Sequence, residues 1–383
     1  MWGAAISAYQ TEGSNTNSDW WEWEKNAHVK EQSGKACRHY ELYEQDWDLA
    51  AKLNLNAIRL SIEWSRIEPR ENEFDQQEIG HYAHVLRSLK ERNIEAVVTL
   101  HHFTNPQWFA KIGGWANPDA SFYFCRYAEK IVASLSPYVK FWVSINEPVV
   151  YAYYAYLKGR WPPQEKSFIK AWKVMKNFSR SHIGVYRLIK RIYKDKGLSE
   201  PSIGPAKHLR GFLVEGGNPF YSLSAKLKDY FFNFRFLDEL KKAKALDFIG
   251  VNYYTCDFMP AIPKSLLMNT LGWPIYPEGL FLMLLRLKRY HLPVMILENG
   301  ICTDNDRQRW DFIDAHLSSI KQALLRGIEV RGYFYWSLLD NFEWDKGFGH
   351  HFGLIEVDYH TFERRIRESA LQFSKEICKN RLP

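Results

Sequence analysis

The sequence of 383 residues lacks several patterns that are typical of particular protein classes. No apolar run approaches the roughly 20 residues that a membrane-spanning helix needs, so we expect no contact with a membrane. The residues after Met1 lack the basic and then apolar pattern of a secretory signal, and a cytoplasmic location fits best. The five cysteines are scattered and never form a Cys-x-x-Cys pair, which argues against a disulfide framework and a structural zinc site.

No low-complexity segment, long linker or nucleic-acid-binding module is recognisable either. The net charge is +7, and a basic cluster at residues 187–196 has the spacing of one solvated helix face. We therefore expect no nucleic-acid partner. Aromatic residues make up 16% of the chain, which suits a large core and also the stacking of indole rings on sugar faces.

What the chain does contain is a repeated alternation of short apolar runs with longer amphipathic stretches. Several of the runs are almost continuously apolar, as in parallel strands buried on both faces. Predicted strands are 4–8, 57–64, 96–101, 141–145, 202–207, 246–253, 294–297 and 332–336. Predicted helices include 43–53, 77–92, 121–135, 169–193, 221–240 and 311–325. Eight strand–helix alternations predict an α/β fold, a single (β/α)8 TIM barrel forming one catalytic domain over residues 1–383.

An open doubly wound sheet is the alternative architecture, and it often carries a glycine-rich phosphate loop after its first strand. Residues 7–13 form no such loop. In a barrel, chemistry resides at the C-terminal ends of the strands. Polar and aromatic residues gather at these predicted ends: Gln10, Arg59, Trp64, His101, His102, Asn146, Glu147, Asn252, Tyr254, Glu298, Asn299 and Trp336, with Glu343 and Trp344 in the last loop.

Glu147 and Glu298 follow the fourth and seventh predicted strands, on opposite sides of a small barrel mouth. Two carboxyl groups facing each other across such a mouth suit glycoside hydrolysis. At about 5–5.5 Å one carboxylate is the nucleophile, and at about 6.5–9.5 Å a water fits between them and the enzyme inverts. His101 and His102 are adjacent on a strand and should point to opposite faces, so we predict no metal site.

Five segments carry a resemblance to glycoside hydrolase family 1, the retaining β-glucosidase family. They occur in the family's order and span nearly the whole chain: 5–13, 59–67, 142–148, 297–300 and 336–344. The resemblance implies that Glu298 is the nucleophile and that Glu147 is the acid/base, with a high proton affinity while Glu298 is negative. Arg59 and Tyr254 resemble the groups that hold the nucleophile ionised and oriented.

The resemblance also implies a set of sugar-binding residues. Asn146 would bind the sugar 2-hydroxyl, and Asn252 would support the two carboxyl groups. Gln10, His102 and Glu343 would bind the 3-, 4- and 6-hydroxyls. Trp336 would lie under the sugar ring, Trp344 would add an indole N–H donor, and Phe352 is a further expected substrate-binding residue. Trp115, Trp161 and Trp273 line either the leaving-group side or the core.

The expected substrate is a small-molecule β-glycoside, and no cofactor is expected. Glu343 would repel a 6-phosphate, which favours neutral β-D-glucosides, with β-fucosides and β-galactosides as side activities. Phe103 stands where the family has a tryptophan, and the connections after Glu147, Asn252 and Glu298 look short. We therefore expect an open entrance and weak selectivity for the leaving group.

Two other functions share these residues: a transglycosylase on the same site and a sugar-binding protein with impaired catalysis. A barrel of unrelated chemistry with a cofactor has no motif in its favour. The oligomeric state is open.

Overall fold

The structure is a computed structural model, and it describes residues 1–26 and 29–379. Eight parallel strands close into a barrel in which each strand pairs with its neighbours in sequence and the first pairs with the last. The strands are β1 Trp2–Ala5, β2 Ala57–Ser61, β3 Glu95–Thr99, β4 Phe141–Asn146, β5 Ser202–His208, β6 Ile249–Asn252, β7 Val294–Asn299 and β8 Val330–Trp336. The predicted TIM barrel is thus confirmed.

Helices surround the barrel on its outside. The α-helices are Ala8–Thr11, Asp19–Glu24, His39–Lys52, Trp64–Ile67, Gln76–Glu91, Gln107–Lys111, Ala120–Leu135, Pro148–Tyr151, Phe168–Asp195, Pro219–Asp229, Arg235–Lys242, Pro277–Leu287, Asp306–Leu325 and Glu368–Lys379. Short pairs of strands lie outside the barrel at Gly211–Val214 with Cys256–Met259 and at Ile355–Val357 with Arg364–Ile366. All five cysteines are free thiols. Among the described residues, no helix combines the length and apolarity required to cross a bilayer.

The apolar runs form strands because both of their faces are covered. One face fills the barrel interior, where Ala57, Val97, Val143, Met295 and Leu297 pack together. The other face packs against the helices in a larger core. Since neither face meets water, alternation of apolar and polar residues disappears, as the sequence pattern indicated.

Predicted element boundaries differ from the observed ones where the chain turns immediately after a strand. β1 ends at Ala5, and Ala8–Thr11 already forms a helical turn. β2 ends at Ser61, and Trp64–Ile67 is helical. The predicted helix 221–240 is interrupted by a π-helical turn at Tyr230–Phe234.

Buried neutral histidines give the fold a sensitivity to acid. His316 is fully buried; its Nδ1 lies 2.8 Å from the carbonyl oxygen of Phe312, and its ring stacks on the Phe312 ring. Burial lowers the pKa of His316 to about 4 from its usual 6.5, and the hydrogen bond to Phe312 opposes this only in part. Below about pH 6.5 the unfolded chain therefore binds a proton at His316 that the folded chain does not bind. The free energy of unfolding decreases as the pH falls.

We expect His316→Gln to be less destabilising at pH 5 than at pH 7.5, by about 2 kcal/mol in the free energy of unfolding. The measurement is denaturant unfolding of both proteins at the two pH values. His360→Gln is the control, because His360 is exposed in the folded state as well. If the free energies of unfolding of His316→Gln and of the parent protein differ by the same amount at both pH values, this account is contradicted.

Candidate active site

A cavity of about 810 Å³ opens at the C-terminal end of the barrel strands. Ten of the twelve predicted site residues line it: Gln10, His102, Asn146, Glu147, Tyr254, Glu298, Trp336, Glu343, Trp344 and Phe352. The other two, Arg59 and Asn252, are buried beneath its floor and bond to residues that line it. The cavity is thus built from the ends of several different strands.

Glu298 sits at the end of β7 with both carboxylate oxygens occupied. The Arg59 guanidinium donates to Oε1, and the Tyr254 hydroxyl donates to Oε2 at 2.6 Å. Glu298 and Arg59 are both almost fully buried. A charged donor and a hydroxyl on the same carboxylate fix its orientation and favour its ionised form.

Glu147 directly follows β4 and has a left-handed backbone with φ +43°. This conformation, uncommon for a residue with a Cβ, turns the chain from the strand into the helix Pro148–Tyr151. Its Oε1 accepts a hydrogen bond from Asn252 Nδ2 at 2.8 Å and lies 3.2 Å from His208 Nδ1. The carboxyl group is therefore held over the barrel mouth by β5 and β6.

A continuous hydrogen-bond path joins the two carboxyl groups. Arg59, which bonds to Glu298, also donates through Nη2 to Asn146 Oδ1 at 2.7 Å. The same oxygen accepts from Asn252 Nδ2 at 3.1 Å, and Asn252 bonds to Glu147. The two glutamates thus share one rigid polar floor.

The two carboxyl groups also influence each other's protonation. The pKa of Glu298 is raised to about 7, first because the carboxyl is buried; the Arg59 guanidinium opposes this rise and the charge of Glu147 adds to it. Burial also favours protonated Glu147, but His208 and then Asn252 and Lys207 outweigh it and bring the pKa of Glu147 below its usual value. The lowered pKa of Glu147 differs from the high proton affinity expected from the sequence while Glu298 is negative.

The physical reason is a pair of buried bases that the sequence reasoning missed, Lys207 and His208 at the end of β5. Burial lowers the pKa of Lys207 to about 7 and also lowers that of His208. The Lys207 ammonium donates to the His208 carbonyl oxygen at 2.7 Å and lies over the Phe232 ring. As these bases lose their protons, Glu147 loses the support for its charge and its proton affinity rises. The signal was present in the sequence, because both residues are polar and close an apolar strand.

The opposite side of the cavity carries the predicted sugar-reading residues. The His102 ring is nearly parallel to the rings of Trp336 and Trp344, with centroids about 6 Å away. Its Nε2 lies 3.2 Å from Asn146 Nδ2, whereas its Nδ1 is buried with no partner among the described residues. Burial lowers the pKa of His102 well below its usual value, so the ring is neutral at pH 7.

Gln10 and Glu343 meet at the same wall. Gln10 Nε2 donates to Asn341 Oδ1 at 3.0 Å and to the Phe342 carbonyl at 2.9 Å, and lies 3.5 Å from Glu343 Oε2. Burial raises the pKa of Glu343 to about 7, although the Lys346 ammonium opposes the rise. A buried acidic side chain in contact with an amide is suited to bind hydroxyl groups.

Aromatic side chains form the remaining walls. Phe103 packs between Trp161 and Trp344, with centroids 5.0 and 5.2 Å away, and supplies no hydrogen-bond donor there. Trp161 and Trp273 line the cavity. Trp115 does not, because it is fully buried in the core.

The two adjacent histidines diverge, as expected. His101 Nε2 lies 3.1 Å from Asn105 Oδ1, and its ring packs against Trp115 outside the barrel, whereas His102 faces the cavity. Among the described residues, no group of three or more His, Cys, Asp or Glu side chains is arranged to hold a metal ion.

Comparisons with known proteins identify the family of the chain. The model of glycosyl hydrolase family 1 matches residues 1–209 and 231–382. β-Glucosidase A of Thermotoga maritima is 29% identical, and the alignment covers 100% of this chain and 97% of the relative. A β-galactosidase of Pyrococcus woesei is 30% identical over 99% of this chain and 96% of the relative.

Solved structures show the same relationship. A β-glycosidase from Pyrococcus horikoshii superimposes with a TM-score of 0.91 at 37% identity, covering 100% of this chain and 96% of that one. A β-glucosidase from Thermotoga maritima in complex with glucoimidazole gives a TM-score of 0.92 at 27% identity, with coverage of 100% and 98%.

Proposed function

The chain belongs to glycosyl hydrolase family 1 and is a glycoside hydrolase, and on that premise we propose that it is a retaining exo-β-glycosidase of neutral β-D-glucosides. One catalytic domain over residues 1–383 carries out two displacements through a covalent glycosyl-enzyme, without a cofactor. β-Fucosides and β-galactosides are side substrates. The five free thiols support a cytoplasmic location, because cysteines stay reduced there.

In the first displacement, Glu298 attacks the anomeric carbon while Glu147 protonates the departing oxygen. The hydrogen bonds from Arg59 and Tyr254 oppose the effect of burial on the pKa of Glu298 and hold its attacking carboxylate in place. Asn146, which bonds to Arg59, is oriented to bind the 2-hydroxyl, where a hydrogen bond strengthens as charge develops on the sugar ring.

In the second displacement, Glu147 removes a proton from water, which then attacks the glycosyl ester. Esterification removes the negative charge of Glu298, and this loss lowers the proton affinity of Glu147. Lys207 and His208 act in the same direction whenever they are charged. The same carboxyl group can therefore serve as an acid first and as a base second.

One observation carries the proposal: Glu147 and Glu298 line a single cavity and are joined through Arg59, Asn146 and Asn252. A nucleophile held by a guanidinium and an acid held by an amide and an imidazole have different surroundings, as two different roles require. No specific observation favours transglycosylation or a sugar-binding protein with impaired catalysis.

Glu343 is the proposed determinant of the sugar. A buried acidic group at the 4- and 6-hydroxyl side attracts hydroxyl donors and repels a phosphate. We expect neutral nitrophenyl β-glucoside to be hydrolysed faster than its 6-phosphorylated counterpart. Glu343→Gln should lower kcat/KM for the neutral glucoside by about 10- to 100-fold, since a hydrogen bond to a charged group is lost.

The test is a steady-state panel of nitrophenyl glucoside, galactoside and fucoside with their available 6-phosphates, using the parent protein and Glu343→Gln. Faster turnover of a 6-phosphorylated glycoside by the parent protein would overturn the proposed sugar preference. Absence of turnover on every glycoside of the panel would overturn the proposed function itself.

We also propose weak selectivity for the leaving group. The alignment with β-glucosidase A extends over 434 positions for the 383 residues of this chain, so the relative carries residues that this chain lacks. The cavity of about 810 Å³ is large compared with a single sugar ring. Rates that differ steeply among aryl, alkyl and oligosaccharide β-glucosides would contradict this part of the proposal.

A further inference from the structure

The helix Pro219–Asp229 and the π-helical turn after it expose a row of apolar side chains. Phe220, Leu227 and Phe231 are 81%, 51% and 52% exposed, and Leu223 and Tyr230 are exposed as well. Their spacing of three, four, three and one residues places all five on one helix face. An apolar stripe of this size facing water is unusual for a monomeric globular protein.

The opposite face of the helix fixes this orientation. Ala225 is buried, and Asp229 accepts a hydrogen bond from Asn233 and pairs with Arg286. Lys228 Nζ lies 3.8 Å from Met259 Sδ on the neighbouring strand. The helix is therefore held with its apolar stripe outward.

The exposed apolar surface continues onto the start of the helix Phe168–Asp195. The Arg235 guanidinium lies 3.6 Å from the ring centroid of Trp172 and 5.8 Å from that of Phe231. Arg235 thereby bridges the two helices. Phe168 stacks on Trp172, and it is 72% exposed. We call this surface the apolar platform; it comprises Phe168, Ile169, Phe220, Leu223, Leu227, Tyr230 and Phe231.

The platform borders the mouth of the active-site cavity. Lys228, Phe231 and Phe232 line that cavity on its outer side. Residues 210–230, which carry most of the platform, are the internal segment that the family model leaves unmatched. Most of the platform therefore lies in a segment outside the match to the family model, beside the mouth of the cavity.

Positive charge surrounds the platform. Lys226 and Lys228 flank the stripe, and Lys166, Lys173 and Lys176 are exposed on or beside the first turns of the neighbouring helix. Among the described residues, none of these five lysines has a carboxylate within ion-pair distance. The neighbouring carboxylates of Asp229 and Glu165 form ion pairs with Arg286 and Lys170 instead. Glu215 precedes the helix and is exposed.

We propose that the apolar platform docks on an anionic lipid surface, with its apolar side chains among the acyl chains and its lysines against the headgroups. An amphipathic helix with an apolar stripe flanked by lysines is typical of interfacial binding. A second copy of this chain fits less well, because facing platforms would bring lysines against lysines. This proposal departs from the expectation of no membrane contact. That expectation rested only on the lack of an apolar run long enough to span a bilayer, and such a run is not needed for binding at the membrane surface.

The test is co-sedimentation of the full-length protein with vesicles of equal parts phosphatidylglycerol and phosphatidylcholine, and with pure phosphatidylcholine vesicles. The variant Phe220→Ser/Leu223→Ser/Leu227→Ser removes apolar area outside the cavity lining. The matched control is Leu324→Ser/Leu325→Ser, which changes exposed leucines at the opposite end of the barrel. We expect binding of the parent and control proteins to the anionic vesicles, weakened by salt, and about tenfold or greater loss in the platform variant.

Circular dichroism and hydrolysis of a soluble aryl glucoside are measured on the same proteins. Both are expected to be the same in the variants as in the parent protein. A loss of lipid binding can therefore be distinguished from a loss of glycosidase activity. The proposal is overturned if the parent protein stays in the supernatant with anionic vesicles, or if the platform variant binds as well as the parent. It is equally overturned if the parent forms a dimer that the platform variant loses while neither binds vesicles.

Discussion

Replacing Glu298 by glutamine is expected to lower kcat/KM for an aryl β-glucoside by about 10⁴-fold or more, because the amide cannot form the glycosyl ester. Glutamine keeps the size of the side chain, and its carbonyl oxygen still accepts from Tyr254 or Arg59. The fold is therefore retained while the nucleophile is lost. Steady-state kinetics of the variant, after removal of any parent protein, measure the effect.

The matched control is Glu63→Gln. Glu63 is as deeply buried as Glu298, and it accepts hydrogen bonds from Thr104 and Ser65 outside the cavity lining. The same substitution there is expected to change kcat/KM by only a few-fold, within what a buried hydrogen bond contributes. Comparable losses in both variants would mean that Glu298 matters for the fold rather than for the reaction.

Replacing Glu147 by glutamine is expected to have an effect that depends on the leaving group. A poor leaving group such as an alkoxide needs the proton from Glu147, so its kcat/KM should fall by about 10³-fold. An activated dinitrophenolate departs without that proton, so its first displacement should proceed within about tenfold of the parent rate. The second displacement still lacks its base, and the glycosyl-enzyme should accumulate.

Pre-steady-state release of dinitrophenolate measures this directly, since an initial burst followed by slow turnover reports an accumulated intermediate. Added azide should accelerate the slow phase, because an anionic nucleophile needs no base. Equal losses for alkyl and dinitrophenyl glucosides, with no burst, would remove Glu147 from the proposed role.

The fold was predictable from the sequence because burial on both faces leaves a simple pattern. Strands such as β4 and β7 have almost continuously apolar sequences and were located within two residues. Polar side chains directly after such runs, among them Glu147 and Glu298, had to lie at one end of a barrel. That topology predicted the grouping of the strand-end residues around one cavity, whereas their individual roles and the choice of Phe352 came from the resemblance to family 1.

Other features depend on three-dimensional neighbours and were not predictable. The lowering of the Glu147 pKa by His208 and Lys207 exists only because β5 and β4 are adjacent. The predicted helix 221–240 has the correct amphipathic period. Its apolar side nevertheless faces water in the first half, because periodicity does not tell which face meets the core.

The stereochemistry of the first-formed product tests the central claim most directly. Nuclear magnetic resonance can follow the anomeric proton during rapid hydrolysis of an aryl β-glucoside, before mutarotation mixes the two anomers. Two displacements at one carbon predict that β-glucose appears first and α-glucose only later. If α-glucose appears first, a single displacement by water has occurred, and Glu298 cannot be a covalent nucleophile.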